Sequence, residues 1–423
     1  MKINFFQTTI LLVLVTFLSA HTASIAAAQS DSTQWAKWRG SNDNGVVEDQ
    51  KTVSQWSESE NVLWKTEIPG RGHSTPIIVG DRIYLTTADK SAETQSVLCF
   101  DRNGGKELWN TTVNTGNLNP KIHQKNTHAS PSLAFDGERL FALFNNNDQN
   151  QMSALNTEGE ILWQRHIAKF KTQFPFGSGS SPIVHDGVVF VPNEANTECA
   201  IICLDPKTGD EVRRIDRGGK FSSYSTPVIA EVGGRTQLLI SGGAKVSSYD
   251  PKTGEELWSV PAKWQVSCGT MVWDGDMVFA SGGFPAQQTL AINAKTGELV
   301  WDKPVKFYEQ SMLAHDGRLY GLSDSAVVYG WNAQTGEELF KQRFDRPVSA
   351  SPILVGENIY FTSEKGNTLV IKAGTDELEE VSRNKLGNSS FASFAVADNK
   401  IYARVGFGKP GNVQEFLYCL GKE

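Results

Sequence analysis

The 423-residue sequence has few cysteines, little net charge and, beyond its N-terminal segment, no apolar run long enough to cross a membrane. A net charge of −7 without blocks of lysine and arginine argues against nucleic acid and anionic lipid as partners. The sequence also lacks a Cys-x-x-Cys-His haem motif, an adjacent cysteine pair, a Gly-x-Ser-x-Gly elbow and a phosphate loop. These absences argue against a haem protein, a classical hydrolase and a nucleotide-dependent enzyme.

Residues 1–28 have the pattern of a secretory signal peptide. Lys2 precedes a short apolar run, Ile10 to Leu18, and three alanines at 26–28 offer a cleavage site. We therefore expect a cleaved signal and a soluble periplasmic or secreted protein that does not span a membrane; an uncleaved anchor is the alternative. No cysteine precedes Cys99, so no lipid anchor is expected.

The five cysteines do not have the spacing of a disulfide framework. Cys199 and Cys203 lie four residues apart in an apparent strand, which separates their Cα atoms by about 13 Å, too far for a disulfide. Cys99, Cys203 and Cys419 occupy one position of an internal repeat at which other copies have Ala, Ser or Gly. We predict five free thiols that fill space as small core residues.

The internal repeat has two motifs. The first is a hairpin turn that opens with Asp or Asn, contains Gly and leads into a strand that ends on an aromatic residue in five of six copies. The second is a small residue followed by Pro or its equivalent, and then a short apolar strand. The small residues of its eight copies are Thr75, Ser130, Ser181, Thr226, Gly269, Ser311, Ser351 and Ser393. Uniformly small residues at this position predict innermost strands that crowd around a common axis.

Eight repeats of about 43 residues, each with about four short strands and no helical period, predict an all-β fold. The expected structure is an eight-bladed β-propeller of four-stranded antiparallel blades over residues 61–423. A solenoid with the same period is the alternative. The last copy lacks its fourth strand, and the apolar segment 61–68 supplies one at the other end of the repeat region, so this N-terminal strand should close the last blade.

Residues 29–60 form an N-terminal arm that lacks the repeat. Trp35, Trp38 and Trp56 make a free linker improbable. We expect these tryptophans to pack on the propeller surface rather than to bind a ligand.

Together, these motifs resemble the pyrroloquinoline-quinone-type (PQQ-like) β-propeller repeat over residues 61–423. The segment Trp38-Arg39-Gly40, followed by Asn44-Gly45, looks similar to the entry segment of exported proteins of this class from planctomycete-type bacteria. The resemblance implies two functional classes. Quinoprotein dehydrogenases bind the quinone and calcium at the mouth of the axial funnel and oxidise alcohols, whereas the propellers of outer-membrane barrel assembly are non-enzymatic scaffolds.

Compact blades, no adjacent cysteines and no haem motif favour the scaffold class, although this sequence lacks that subfamily's lipid-attachment cysteine. We therefore expect a monomeric, non-catalytic, protein-binding scaffold of the cell envelope without a cofactor. Its partner would be another envelope protein or an exposed peptide strand. The alternatives are a PQQ-dependent alcohol or sugar dehydrogenase, with PQQ and calcium, and a carbohydrate-binding propeller.

The candidate ligand site is the rim of the axial funnel. The rim position three residues before each Pro or its equivalent is occupied by His73, His128, Gly179, Tyr224, Ser267, Glu309, Ser349 and Phe391. With two nearby cations, the predicted ligand-binding residues are Arg71, His73, Lys125, His128, Tyr224 and Glu309. Cations outnumber carboxylates in this set, which would attract an anionic quinone, but we expect no catalytic residue and no metal site. The pair Asn193-Glu194, the nearest match to calcium ligands, is interpreted as a hairpin tip.

Overall fold

The computed structural model describes Met1, residues 34–409 and residues 411–422. Eight four-stranded antiparallel sheets follow one another and form an eight-bladed β-propeller, so the predicted fold class is confirmed and the solenoid alternative was wrong. The predicted signal peptide lies outside the described residues apart from Met1. The described part of the chain contains no helix that is long and apolar enough to cross a bilayer.

Each blade is built from four strands, ordered from the axis to the rim. The strands of blades 1 and 2 are Ile77–Val79, Arg82–Asp89, Thr94–Asp101, Glu107–Thr115, and Ala134–Phe135, Arg139–Asn146, Gln149–Asn156, Ile161–Lys169. Those of blades 3 and 4 are Ile183–His185, Val188–Glu194, Cys199–Leu204, Glu211–Asp216, and Val228–Val232, Arg235–Gly242, Lys245–Tyr249, Glu256–Pro261.

The second half of the ring repeats this arrangement. The strands of blades 5 and 6 are Val272–Asp274, Met277–Gly282, Gln288–Asn293, Leu299–Lys303, and Leu313–His315, Arg318–Leu322, Val327–Asn332, Glu338–Arg343. Those of blades 7 and 8 are Ile353–Val355, Asn358–Thr362, Asn367–Lys372, Glu380–Lys385, and Ala395–Ala397, Lys400–Lys409, Asn412–Leu420, Val62–Ile68. Three short strands lie outside this scheme: Val46–Val47, and the pair Trp264–Val266 and Phe284–Pro285.

The repeat motif explains how each blade packs against the next. The small residue of the third strand lies between two bulky cross-strand neighbours, as Cys99 does between Tyr84 and Trp109. The indole N–H of Trp109 then donates to the backbone carbonyl of Thr157 in the turn of blade 2, at 3.1 Å. Gly159 of that turn has a φ of +87°, and a Cβ on it would lie 2.7 Å from the Trp109 ring, so a glycine is needed there.

The same indole-to-carbonyl bond recurs from Trp64, Trp163, Trp258 and Trp301 to the turn of the following blade. In blade 3 the tryptophan is replaced by Arg213, whose guanidinium donates to two carbonyls of the blade 4 turn instead. The repeating aromatic is therefore a link between blades as well as a core residue.

The two ends of the repeat region close the ring. Val62–Ile68 pairs antiparallel with Asn412–Leu420, and Trp64 lies opposite Cys419. The prediction that an N-terminal strand completes the last blade is confirmed. Closure matters energetically because it removes two exposed sheet edges that could pair with another chain.

Strand pairing corrects the register assigned to two inner strands. Ala134 of blade 2 pairs with Phe141 as Ile77 of blade 1 pairs with Tyr84, so Ser132, not Ser130, is the equivalent of Thr75. By the same criterion, Thr270 replaces Gly269 in blade 5. With this correction, all eight copies have Ser or Thr at the position: Thr75, Ser132, Ser181, Thr226, Thr270, Ser311, Ser351 and Ser393.

These hydroxyl residues link neighbouring blades around the axis. At six of the eight junctions, the backbone N–H of one residue donates to the hydroxyl oxygen of the next, at 2.9–3.0 Å. The sequence position is therefore small for steric reasons and also polar, because each hydroxyl accepts a hydrogen bond from a buried N–H that would otherwise lack a partner.

The N-terminal arm crosses the inside of the ring. Trp35 exchanges two backbone hydrogen bonds of 2.9 Å with Ile78 of blade 1. Three residues later, Trp38 donates its indole N–H to the hydroxyl of Thr270 in blade 5, at 2.8 Å. Because blades 1 and 5 are opposite each other in an eight-membered ring, the arm spans the propeller axis.

The arm then leaves the axis along blade 7. The buried guanidinium of Arg39 donates to the carbonyls of Met312 and Pro352, which belong to blades 6 and 7. Val46–Val47 adds as a parallel strand to the innermost strand Ile353–Val355. The arm is therefore inside the propeller channel rather than on its outer surface, which differs from the expectation.

Candidate functional site

A cavity of about 510 Å³ lies on the propeller axis, at the N-terminal ends of the inner strands. Each blade contributes the residue two positions before its hydroxyl residue: His73, Ser130, Gly179, Tyr224, Cys268, Glu309, Ser349 and Phe391. Trp38 of the arm also lines the cavity, and since the arm crosses the axis there, it forms the floor. The volume is in the range of small-molecule sites.

The structure brings four of the six predicted site residues together. His73, Lys125, Tyr224 and Glu309 line the axial cavity. His128 does not line it, because the two-residue register shift in blade 2 puts Ser130 at the rim position and leaves His128 beside a separate small pocket. Ser267 is replaced at the rim by Cys268 for the same reason in blade 5.

Arg71 is not in the cavity lining because it is bound to Glu415 of blade 8. The Arg71 Nε atom is 2.8 Å from Glu415 Oε1, and the buried Arg404 bonds the other carboxylate oxygen at 2.8 Å. Arg404 also donates to Ser74 and to the backbone of Thr86, in blade 1. This network joins the first and last blades, where no hydroxyl link of the kind described above occurs among the described residues.

Lys125 forms an ion-pair cluster across the cavity. Its Nζ atom is 2.8 Å from Glu364 Oε1 and 3.4 Å from Glu309 Oε1, and the hydroxyl of Ser349 donates to both carboxylates. Burial opposes the charge on Lys125, but the two carboxylates raise its pKa above the usual range. The cluster therefore has one positive and two negative charges, and the predicted excess of cations at the rim was wrong.

The remaining titratable groups of the cavity wall are uncharged near neutral pH. Burial, reinforced by the charges of Arg71 and Arg404, holds the pKa of His73 well below its usual range. Its ring stacks on Phe391 with centroids 4.4 Å apart, and its Nε2 atom is buried without a hydrogen-bond partner among the described residues. Burial, with the nearby carboxylates of Glu309 and Asp324, raises the pKa of Cys268.

Aromatic side chains supply much of the cavity surface. Trp38, Phe176, Tyr224, Tyr308 and Phe391 all line it. The ring of Phe176 packs edge-on against Tyr224 with centroids 6.2 Å apart. Sequence analysis assigned Trp38 to surface packing and missed Tyr308 and Cys268; alignment of the inner strands on their pairing partners would have placed Cys268 at the rim.

The residues of the cavity do not fit the quinone and calcium of the dehydrogenase alternative. The two nearest carboxylates already hold the ammonium of Lys125, in the space that a cation would need. The other candidate carboxylate, Glu194, is 1% exposed and ion-paired with buried Arg217, so the hairpin-tip interpretation was wrong. Among the described residues, no group of three or more His, Cys, Asp or Glu side chains could hold a metal ion.

The outer rim of blades 1–3 presents a second surface. Leu108, Ile161, Leu162 and Val212 lie at the beginnings of outermost strands and are 40–55% exposed. We call these four residues the outer apolar patch. The outermost strands of blades 1 and 2 have nine residues each, whereas the other blades have outermost strands of five to seven residues.

The eight blades, the repeat motif and the ring closure define the protein as a PQQ-like β-propeller. A family model described as outer membrane protein assembly factor BamB matches residues 93–315 and 286–409, which together are most of the chain. The chain belongs to this family.

Two curated relatives have the same description. The BamB protein of Burkholderia pseudomallei (strain K96243) is 22% identical over 339 residues, which cover 77% of this chain and 80% of the relative. The BamB protein of Legionella pneumophila (strain Paris) is 26% identical over 119 residues, which span 28% of this chain and only 30% of the relative's length.

Solved structures of both functional classes share the fold. BamB from Moraxella catarrhalis has a TM-score of 0.60 at 15% identity, over 84% of this chain and 96% of that one. A europium-containing methanol dehydrogenase has a TM-score of 0.69 at 12% identity, over 93% and 98%. The quinohemoprotein alcohol dehydrogenase of Comamonas testosteroni has a TM-score of 0.65 at 12% identity, over 92% and 81%. At these identities the likeness concerns the fold alone.

Proposed function

We propose that this protein is a non-catalytic scaffold of the cell envelope, periplasmic or secreted, that binds another envelope protein at the outer rim of blades 1–3. The observation that carries the proposal is the outer apolar patch, which lies on outermost strands with an unpaired edge. Exposed apolar side chains on a sheet edge are a recurrent feature of sites that accept an extended partner strand. The family relationship to BamB, described as an outer membrane protein assembly factor, supports an envelope partner.

The outermost strand of blade 2 is the best candidate for strand addition. Ile161–Lys169 has nine residues, and Arg165, His166 and Lys169 are exposed along it, together with Ile161 and Leu162. Main-chain hydrogen bonds along the edge would give affinity, and these side chains would give specificity. The partner segment should therefore be extended and both apolar and acidic.

The second candidate function is that of a PQQ-dependent dehydrogenase, and the axial cavity is the observation in its favour. Its charge opposes this role. The three carboxylates of the quinone would meet Glu309 and Glu364 with only Lys125 between them, and Arg71 is bound to Glu415. We therefore propose that the cavity does not hold the quinone.

Site-specific cross-linking in envelope preparations tests the scaffold proposal. A photoreactive residue in place of Leu162 should capture an envelope protein, identified by mass spectrometry, and Leu162→Asp should reduce co-purification of that protein about tenfold or more. Val300→Asp is the matched control, because Val300 is 47% exposed on the outermost strand of blade 5 and Leu162 is 49% exposed. Equal loss with both variants, or no loss with Leu162→Asp, would contradict the proposed surface.

A further inference from the structure

The axial cavity contains a built-in example of the group that it holds. Lys125 comes from the chain leading into blade 2, and its ammonium lies between Glu309, before blade 6, and Glu364, in blade 7. The side chain therefore reaches across the axis to place a primary ammonium between two carboxylates. Glu309 and Lys125 both remain about one-third exposed, so water and small solutes can reach the pair.

The charge of the cavity favours a cation over an anion. Two carboxylates face one ammonium, and the pKa shifts described above leave His73 and the Cys268 thiol uncharged near neutral pH. A carboxylate whose positive partner is shared with a second carboxylate retains unsatisfied acceptor capacity. An incoming ammonium would therefore gain charge-assisted hydrogen bonds that an anion could not make.

The rest of the wall is suited to the body of such a ligand. The faces and edges of Trp38, Phe176, Tyr224, Tyr308 and Phe391 surround the space from different parts of the ring. Aromatic faces attract cations through the ring quadrupole and also pack well against a ligand ring. The buried Nε2 atom of His73 has no partner among the described residues and adds one unsatisfied polar group to this wall.

We propose that the axial cavity binds a small organic cation, a ring-bearing primary ammonium that contacts Glu309 and packs on the floor formed by Trp38. The arm closes the floor of the cavity, so such a ligand enters from the rim beside Lys125. This site is separate from the outer apolar patch, and the proposal does not depend on the scaffold function.

Calorimetric titration of the full chain with benzylammonium tests the proposal, with benzyl alcohol and benzoate as neutral and anionic controls of the same size. Benzylammonium should bind with one-to-one stoichiometry and quench tryptophan fluorescence, and the two controls should bind at least tenfold more weakly. Binding should weaken as salt rises, because part of the cavity is open to solvent. Absence of benzylammonium binding, or tighter binding of benzoate, would overturn the proposal.

Two variants locate the site. Glu309→Gln should weaken benzylammonium about tenfold, the loss of one charged hydrogen bond, whereas Lys125→Met should strengthen it, because the ligand takes the place of the internal ammonium. Glu198→Gln is the matched control, since Glu198 is an exposed carboxylate ion-paired with Arg214 and is not among the cavity-lining residues. If Lys125→Met does not fold, Glu309→Gln still decides: unchanged affinity in that variant contradicts the site.

Discussion

The ammonium of Lys125 lies 2.8 Å from a carboxylate oxygen of Glu364, and this contact decides the charge of the axial cavity. In sequence, Lys125 is a cation near a funnel rim and suggests a site for an anion. In the structure it is the counter-ion of two carboxylates, Glu309 and Glu364, and is not free to bind a quinone. The same side chain therefore supports the opposite chemistry once its partners are known.

Ring closure by the N-terminal strand predicts a large loss of stability when that strand is broken. The double substitution Lys65→Pro and Thr66→Pro removes two backbone donors from Val62–Ile68 and should lower the free energy of unfolding by about 3 kcal/mol or more. Thermal unfolding and size-exclusion chromatography are the measurements. A variant that stays monomeric with an unchanged melting temperature would show that the ring does not depend on this strand.

Arg39 should be the residue of the arm on which stability depends most. Its guanidinium is 2% exposed and donates to the carbonyls of Asn44, Met312 and Pro352 at 2.6–3.0 Å. Arg39→Ala leaves these carbonyls without that donor and should cost about 3 kcal/mol. Chemical denaturation measures the loss, and Lys37→Ala, at a partly exposed ion pair in the same arm, is the control. Equal effects of the two substitutions would contradict the role of Arg39.

The cysteines should react only after unfolding. The structure contains five free cysteines, four of them buried, and burial raises the pKa of Cys199 and of Cys419 to about 11. At pH 8 the folded protein therefore presents few thiolates, and iodoacetamide should modify it slowly. Mass spectrometry after alkylation in denaturant should count five modified thiols. A disulfide between any two cysteines in the unreduced protein would contradict this result.

His73 predicts a loss of stability in mild acid. Its pKa is lowered in the folded protein, so below about pH 6.5 the unfolded chain binds a proton that the folded chain does not. Stability should fall as the pH drops below 6.5, by up to about 1.4 kcal/mol per pH unit for this group. His73→Asn should flatten the dependence between pH 6.5 and 5, and His166→Asn, at an exposed position of blade 2, should not. An identical pH profile for wild type and His73→Asn is the contrary outcome.

The architecture could be predicted because it repeats. Eight copies of the turn and strand motifs indicate the blades, and the missing fourth strand after Cys419 indicates that Val62–Ile68 closes the ring. The small residue of the third strand was also predictable, since Cys99 and Ala154 occupy equivalent places opposite aromatic residues. Each of these features depends on local sequence that occurs several times.

The site could be predicted only in part, because its geometry depends on contacts that occur once. The lead-in to blade 2 is two residues longer than the motif suggests, which put His128 at the rim in place of Ser130. The pairing of Lys125 with Glu309 joins residues 184 positions apart, and no repeat brings such partners into register. The path of the arm through the channel likewise depends on the single contact of Trp38 with Thr270.

The most direct test of the account is a spectroscopic titration of the full chain with pyrroloquinoline quinone and calcium, followed by a dye-linked assay with alcohols and sugars. The account predicts weak or no stoichiometric quinone binding and no reduction of the artificial acceptor, because the carboxylates of the axial cavity outnumber its single cation. Tight one-to-one binding with acceptor reduction that disappears in Lys125→Met and Glu309→Gln, but not in Glu198→Gln, would contradict it and make this propeller an enzyme.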